Sequence, residues 1–130
     1  MKEVVDFVKK CRIFYLATVE GDQPRVRPFG VIEIYEDKVY VMTGKGKNVF
    51  KQIDANHKVE LCAATDTQWV RISGNLINDD RVEAKKFILD TNPYLRNMYN
   101  ENDDNTAVLY FEDATAVMSS FTAAPREIKL

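Results

Sequence analysis

With 130 residues and 45% hydrophobic content, the chain has the length of one domain and enough apolar side chains for a core, so residues 1–130 are treated as a single unit. Its 18 basic and 20 acidic residues are mixed along the sequence and leave a net charge of -2, which excludes a global pull towards nucleic acid or a membrane surface. No apolar run reaches the length of a membrane span, and the charged start MKEVVDFVKK lacks the core of a signal peptide, so a cytoplasmic protein is expected. Cys11 and Cys62 lie far apart in apolar patterns, which suits reduced, packed thiols, and a single histidine, His57, argues against a metal site.

Val4, Val5, Val8 and Cys11 recur at helical spacing over 2–11, with Lys9, Lys10 and Arg12 at the end where the helix dipole favours cations. Residues 13–19, IFYLATV, are β-branched and aromatic and run into Glu20-Gly21-Asp22-Gln23-Pro24, which predicts a hairpin. The second strand is expected from Arg25 to Tyr35, with Arg25, Arg27, Phe29 and Val31 on one face and Val26, Pro28, Gly30 and Ile32 on the other. Pro28 has no N–H for a ladder, so an edge or a bulge is expected there, a break that exposes backbone groups to a ligand. Glu36-Asp37 turns the chain into a third strand, so the first three strands are predicted to form an antiparallel meander.

The stretch 38–53, KVYVMTGKGKNVFKQI, carries the strongest signal for a site. Val39, Val41 and Thr43 alternate with Tyr40 and Met42 along a strand, and the strand runs into lysines spaced by Gly44 and Gly46. Asn48 then opens a helix with Val49, Phe50 and Ile53 at helical spacing, whose first N–H groups and positive dipole end face the lysines and would stabilise a phosphate. Neither common phosphate motif is present: a P-loop would need Gly at Val41, and a dinucleotide fingerprint would need Gly at Val49. The plainer alternative is a surface turn with solvated lysines.

Further along, VELCAA forms a fourth strand with Val59, Leu61 and Ala63 on one face, and Gln68 to Ile77 a fifth with Val70, Ile72, Gly74 and Leu76 opposite Trp69, Arg71, Ser73 and Asn75. Asp79 and Asp80 are expected to cap a helix over 81–90, with Asp80 and Glu83 in a capping box and Ala84, Phe87 and Ile88 buried. Residues 92–105, NPYLRNMYNENDDN, are expected to open with a helical turn at Pro93 and decay into an acidic loop. Asp103 and Asp104 lack the central Gly and closing Glu of a calcium loop, so a solvated loop is the expectation. Thr106–Phe111 and Ala114–Phe121 are predicted as the last two of seven strands, divided at Glu112-Asp113, and the tail TAAPREIKL carries no signal. Strands in meanders with a few short helices make the fold class mainly β, an antiparallel barrel with peripheral helices.

Side-chain catalytic motifs are absent, so the catalytic residues are unknown and any reactivity would come from a cofactor. The turn and strand GDQPRVRPFGV, the segment VYVMTGKGKNVFKQI and the strand WVRISGNLI together resemble the FMN-binding split-barrel proteins related to pyridoxamine 5'-phosphate oxidase and to nitroimidazole reductases. The resemblance spans most of the chain and implies a split β-barrel, FMN as cofactor, flavin-mediated electron or hydride transfer on a small molecule, and a homodimer with flavin sites at the interface. It implies that Arg27, Pro28 and Phe29 run along the flavin ring, that Met42 and Thr43 meet it, and that Lys47 and Asn48, with Lys45 as a further candidate, hold the phosphate. Trp69 falls beside the ring or packs in the core, and Arg71 reaches a cofactor shared across the dimer. The chain departs from the oxidases in lacking their Arg-Leu-His-Asp-Arg-like motif near the C-terminus, and from nitroimidazole reductases in having no histidine near the third strand. A flavin-binding or sensing protein without turnover therefore stands as the alternative. A nucleic-acid-binding barrel, with Tyr15, Tyr40 and Trp69 stacking on bases, lacks the basic track such binders need.

Overall fold

Period-two alternation builds eight strands: β1 (Phe14–Glu20), β2 (Gln23–Phe29), β3 (Ile32–Tyr35), β4 (Lys38–Gly44), β5 (Lys58–Ala64), β6 (Gln68–Asp79), β7 (Thr106–Ser120) and β8 (Arg126–Lys129). Helical spacing builds α1 (Lys2–Cys11), α2 (Asn48–Ala55) and α3 (Val82–Thr91), and a 3-10 turn follows at Pro93–Asn97. The computed structural model describes all 130 residues.

All strand pairs are antiparallel, and the sheet runs β2-β1-β5-β6-β7-β4-β3, with β8 added beside β7. The two ends of this path, β2 and β3, are consecutive along the chain and joined through Gly30 and Val31, yet they do not pair. The sheet curls into a barrel that is open along this seam, a split β-barrel with peripheral helices. The single strand expected from Arg25 to Tyr35 is thus two strands, and the predicted meander is two separate hairpins, β1-β2 and β3-β4. Alternation is a local signal, whereas the second partner of β4, on the side away from β3, is β7, far along the chain. Pro28 and Pro24 do sit on an edge strand, facing Tyr15 and Val19 of β1, where a missing N–H breaks no ladder.

The long β7 replaces the two strands predicted on either side of Glu112-Asp113. Between the pairs Ser73↔Thr115 and Asn75↔Glu112, the single residue Gly74 faces both Asp113 and Ala114, which makes a β-bulge. Asp113 takes φ 51, so a pair of residues that looks like a turn in sequence only bends the strand. That bend lets β7 pair with β4 at its start and with β8 near its end. The tail read as carrying no signal supplies β8.

Two cores follow from the two faces of β4. Val39 and Val41 point into the barrel with Phe14, Leu16, Leu61 and Ile72, and α1 fills the barrel with Val4, Val5 and Val8. Tyr40 and Met42 point outward into a smaller cluster with Ala84, Ile88, Leu89 and Leu95 of α3 and the 3-10 turn. The capping box expected at Asp80 and Glu83 does not form: Arg81 is the N-cap of α3, and Asp79 accepts a bond from the Arg81 N–H at 3.1 Å. Asp79 also accepts from the buried Tyr40 hydroxyl at 2.7 Å and from the Arg81 guanidinium at 2.9 Å. Burial pushes the Asp79 carboxyl up, and these partners outweigh it and bring it below its ordinary value.

The bulge has a steric requirement. A Cβ on Gly74 would lie 2.7 Å from the Ala114 Cβ and 2.8 Å from its Cα, which no rotamer relieves. Gly74→Ala is expected to destabilise the fold by about 1–3 kcal/mol, as for other overpacked sites. An unchanged midpoint in urea unfolding would show that the bulge has room to spare.

Candidate functional site

The turn after β4 is held from a distant segment. Asn105 accepts the Lys45 N–H on its backbone oxygen at 2.7 Å and the Gly46 N–H on Oδ1 at 3.2 Å, while the Lys47 N–H bonds the Gly44 carbonyl at 3.1 Å. Neither Gly44 nor Gly46 has positive φ; what Gly44 provides is space, because a Cβ there would meet Asn105 Nδ2 at 3.2 Å. Lys47 is the N-cap of α2 and is exposed, so its ammonium and the first amides of the helix stand together at one end of the turn.

Arg27 ties the other wall to this helix. Its guanidinium donates to Gln52 Oε1 at 2.6 Å, to Thr18 Oγ1 at 2.7 Å and to the Leu16 carbonyl at 3.1 Å, and Thr18 Oγ1 also donates to Gln52 Oε1 at 2.6 Å. Burial, and next the nearby Arg25 charge, lower the Arg27 pKa from its ordinary value. Neither Arg27 nor Lys47 makes an ion pair, whereas Arg25 is held by Glu20 and Lys45 by Asp80, both within 2.9 Å.

Two cavities meet at these cations. One, of about 300 Å³, is mainly apolar and takes Arg27, Pro28, Phe29, Met42, Thr43 and Lys47 into its wall. The other, of about 410 Å³, is mainly polar and adds Asn48 and Gln52 while sharing Arg27, Lys47 and Val49 with the first. Seven of the ten expected positions are therefore brought together. Lys45 is not among them, since its Nζ turns to Asp80 Oδ1 at 2.8 Å. Trp69 lines a small separate cavity and packs on Phe121 with ring centroids 5.2 Å apart. Arg71 is exposed on β6, three strands from β2 along the sheet and so about 14 Å away at the usual strand spacing.

The sequence reading missed the wall formed by Tyr94, Leu95, Met98 and Tyr99. Their spacing, apolar at positions one, two, five and six, is a helical signal inside a segment taken for a decaying loop. Leu95 anchors the segment in the second core, and Asn92 fixes its start by donating to Glu33 Oε2 at 3.0 Å, so Tyr94 and Met98 are displayed with large exposed surfaces. No carboxylate, histidine or cysteine lines the apolar cavity. His57 lies elsewhere, its Nδ1 2.8 Å from the Ile53 carbonyl, and burial pushes both cysteine thiols up, away from thiolate chemistry.

The acidic loop before β7 is a structural hub. Asp103 accepts the N–H groups of Asn100, Asn105 and Thr106 and the Thr106 hydroxyl, all within 3.0 Å. No group of side chains suited to a metal ion occurs in the chain.

The model of the pyridoxamine 5'-phosphate oxidase family matches residues 1–98. A NimC/NimA family protein from Clostridium acetobutylicum is 44% identical, with a TM-score of 0.96 over 100% of this chain and 92% of that one. General Stress Protein 26 from Bacillus anthracis has the same fold at 17% identity and TM-score 0.78, covering 99% and 97% of the two chains. A pyridoxamine 5'-phosphate oxidase-related, FMN-binding protein from Nostoc punctiforme shares the fold at 12% identity and TM-score 0.65, covering 99% and 93%. No curated protein matches. The fold and these matches define a flavin-type split barrel, and the chain belongs to the pyridoxamine 5'-phosphate oxidase-like, FMN-binding split-barrel family. Within that family it is closely related to the NimC/NimA proteins.

The Asp103 hub gives a pH prediction. Burial raises this carboxyl, but the amides of Thr106, Asn100 and Asn105 outweigh it and bring it from the ordinary 3.8 down to about 2. A depressed carboxylate adds stability that is complete above about pH 4 and is lost as pH falls through about 2. Asp103→Asn should therefore flatten the loss of stability over this acid range, and equal slopes for both chains in urea unfolding would refute the assignment.

Proposed function

We propose that the chain is an FMN-dependent oxidoreductase acting on a small molecule, and that it works as a homodimer. The observation that carries this is the pair of cations without carboxylate partners, Arg27 and Lys47, set where an apolar cavity meets a polar one. A ligand with a flat apolar ring and an anionic tail suits such a pair of spaces, and FMN is one. The residues present fit it: Lys47, Asn48 and the first amides of α2 would hold the phosphate, and Pro28, Phe29, Met42 and Thr43 would line the ring. Bound FMN would supply the electron or hydride transfer. The chain itself binds, orients and excludes water, and with no carboxylate, histidine or thiol in the apolar cavity, it offers Tyr94 and Tyr99 as the only hydroxyphenyl groups there.

The outer face of the sheet supports the dimer reading. Tyr15 and Val26 are 51% and 67% exposed, and Pro28, Tyr15, Cys62 and Arg71 form one row across paired strands β2, β1, β5 and β6. An apolar sheet face of this kind is expected to be covered, and a second copy of the chain would do so. Arg71, three strands from β2 and outside both cavities within one protomer, would then belong to the partner's site.

Lys47→Ala should weaken FMN binding by about ten- to a hundredfold, the worth of a charge-assisted phosphate contact, and leave riboflavin nearly unaffected. Equal losses for the two ligands in a titration would contradict the phosphate assignment. Reduction of the bound flavin by NADH or NADPH, followed by reoxidation with a nitroaromatic or quinone, tests the activity; no turnover with any pair would favour a flavin-binding protein without its own reaction. Light scattering of the flavin-loaded protein should give twice the chain mass, and a monomer retaining stoichiometric FMN at micromolar concentration would rule out a shared site.

A further inference from the structure

The turn expected to meet the phosphate does not hold its own shape. Between Gly44 and Lys47 the only internal backbone bond is Lys47 N–H to the Gly44 carbonyl; the amides of Lys45 and Gly46 are both taken by Asn105, at 2.7 and 3.2 Å. Asn105 is fixed in turn, because its own N–H donates to Asp103 Oδ1 at 2.9 Å and the same carboxylate binds the Asn100 and Thr106 amides. Thr106 then enters β7 and faces Gly44 across the β4–β7 ladder, so both ends of the clasp are anchored to one pair of strands. Turn and clasp are 59 residues apart in sequence.

We propose that Asn105 is a positioning residue for the phosphate end of the site. It engages the amides of Lys45 and Gly46 itself, so the turn is held in one shape, and Lys47 with the first amides of α2 is what remains for an anion. In this arrangement Asn105 touches no ligand. It sets where Lys47 and the start of α2 stand, and therefore how strongly the site prefers a phosphorylated flavin over riboflavin. The inference rests on the reading of this turn as the phosphate subsite.

The turn also shows how the clasp can be disturbed without removing Asn105. A Cβ on Gly44 would come 3.2 Å from Asn105 Nδ2, 3.4 Å from Oδ1 and 3.5 Å from the Tyr99 hydroxyl, so the amide must give way by a few tenths of an ångström. Asn105→Ala keeps the backbone carbonyl that accepts from Lys45 and removes only the Oδ1 contact with the Gly46 N–H, while Gly44→Ala displaces the same side-chain amide by contact. Residues coupled through a shared contact show non-additive effects.

The test compares FMN and riboflavin affinities by fluorescence titration in the native chain, Asn105→Ala, Gly44→Ala and the double variant. Both single variants should bind FMN about tenfold more weakly, the scale expected if the shifted turn costs the phosphate one hydrogen bond from Lys47 or the α2 amides, and riboflavin within about twofold of the native chain. The double variant should be no worse than Asn105→Ala alone. An unchanged FMN-to-riboflavin preference in both variants, or an equal loss of both ligands, would overturn the proposal while leaving the Lys47 assignment standing. If the native chain itself shows no preference for FMN, the phosphate reading fails and this inference falls with it. Should Asn105→Ala not fold, Gly44→Ala carries the same comparison.

Discussion

The Arg27 guanidinium ties helix α2 to the β1-β2 hairpin. It reaches from edge strand β2 across to Thr18 and the Leu16 carbonyl on β1 and to Gln52 on α2. Gln52 and Thr18 are buried, at 7% and 2% exposure, so their polar atoms need partners inside the protein. A single oxygen, Gln52 Oε1, accepts from both Arg27 and Thr18. This fixes α2 against the barrel wall, and with it the position of Lys47 at the helix start. The same guanidinium leaves a positive charge uncompensated by any carboxylate beside two open cavities. The anchoring of α2 and the positive charge beside the cavities thus share one side chain.

The topology explains why a site forms here. The seam between β2 and β3 leaves the edge of β2 without a strand partner, and Pro28 sits there without disturbing a ladder. Gly30 and Val31 cross the seam and line the apolar cavity, so the gap in the sheet and the concavity coincide. Opposite sides of β4 serve two cores at once, and the end of the strand reaches the cavity from both, Met42 from the outer face and Thr43 from the face whose Val39 and Val41 remain inside the barrel. The bulge at Gly74 bends β7 so that one strand can bridge β6, β4 and β8.

Much of this was legible in the sequence where the signal is local. The alternation of Val39, Val41, Tyr40 and Met42 and the spacing of Val49 and Ile53 predict β4 and α2 correctly, and the turn between them is where the unpaired lysine stands. Pro28 correctly marks an edge. The failures share a cause, since each depends on a partner distant in sequence. No local pattern says that β3 leaves β2 for the far side of the sheet, or that Glu112-Asp113 is a bulge because Gly74 lies opposite. Tyr94, on a short 3-10 turn, and Met98, just past its end, are exposed, so the apolar pattern that places them on a cavity wall is hard to see within a polar segment. Lys45 and Lys47 differ in place, Lys45 pairing with Asp80 while Lys47 is the N-cap of α2, and the position of Asp80 is not legible locally.

The seam has one more consequence, for the order in which the chain visits its strands. The two ends of the molecule lie together: Arg126 pairs with Glu3 at 2.7 Å, and Met1 and Leu130 both pack against the main core. A chain in which residues 1 and 130 were joined by a short linker and whose new ends fell between Gly30 and Val31 would keep every strand pair of the sheet. Its register, bulge and buried clusters would be specified by the same contacts. In that sense the bond between Gly30 and Val31 carries connectivity but no pairing, and it lies in the wall of the candidate site.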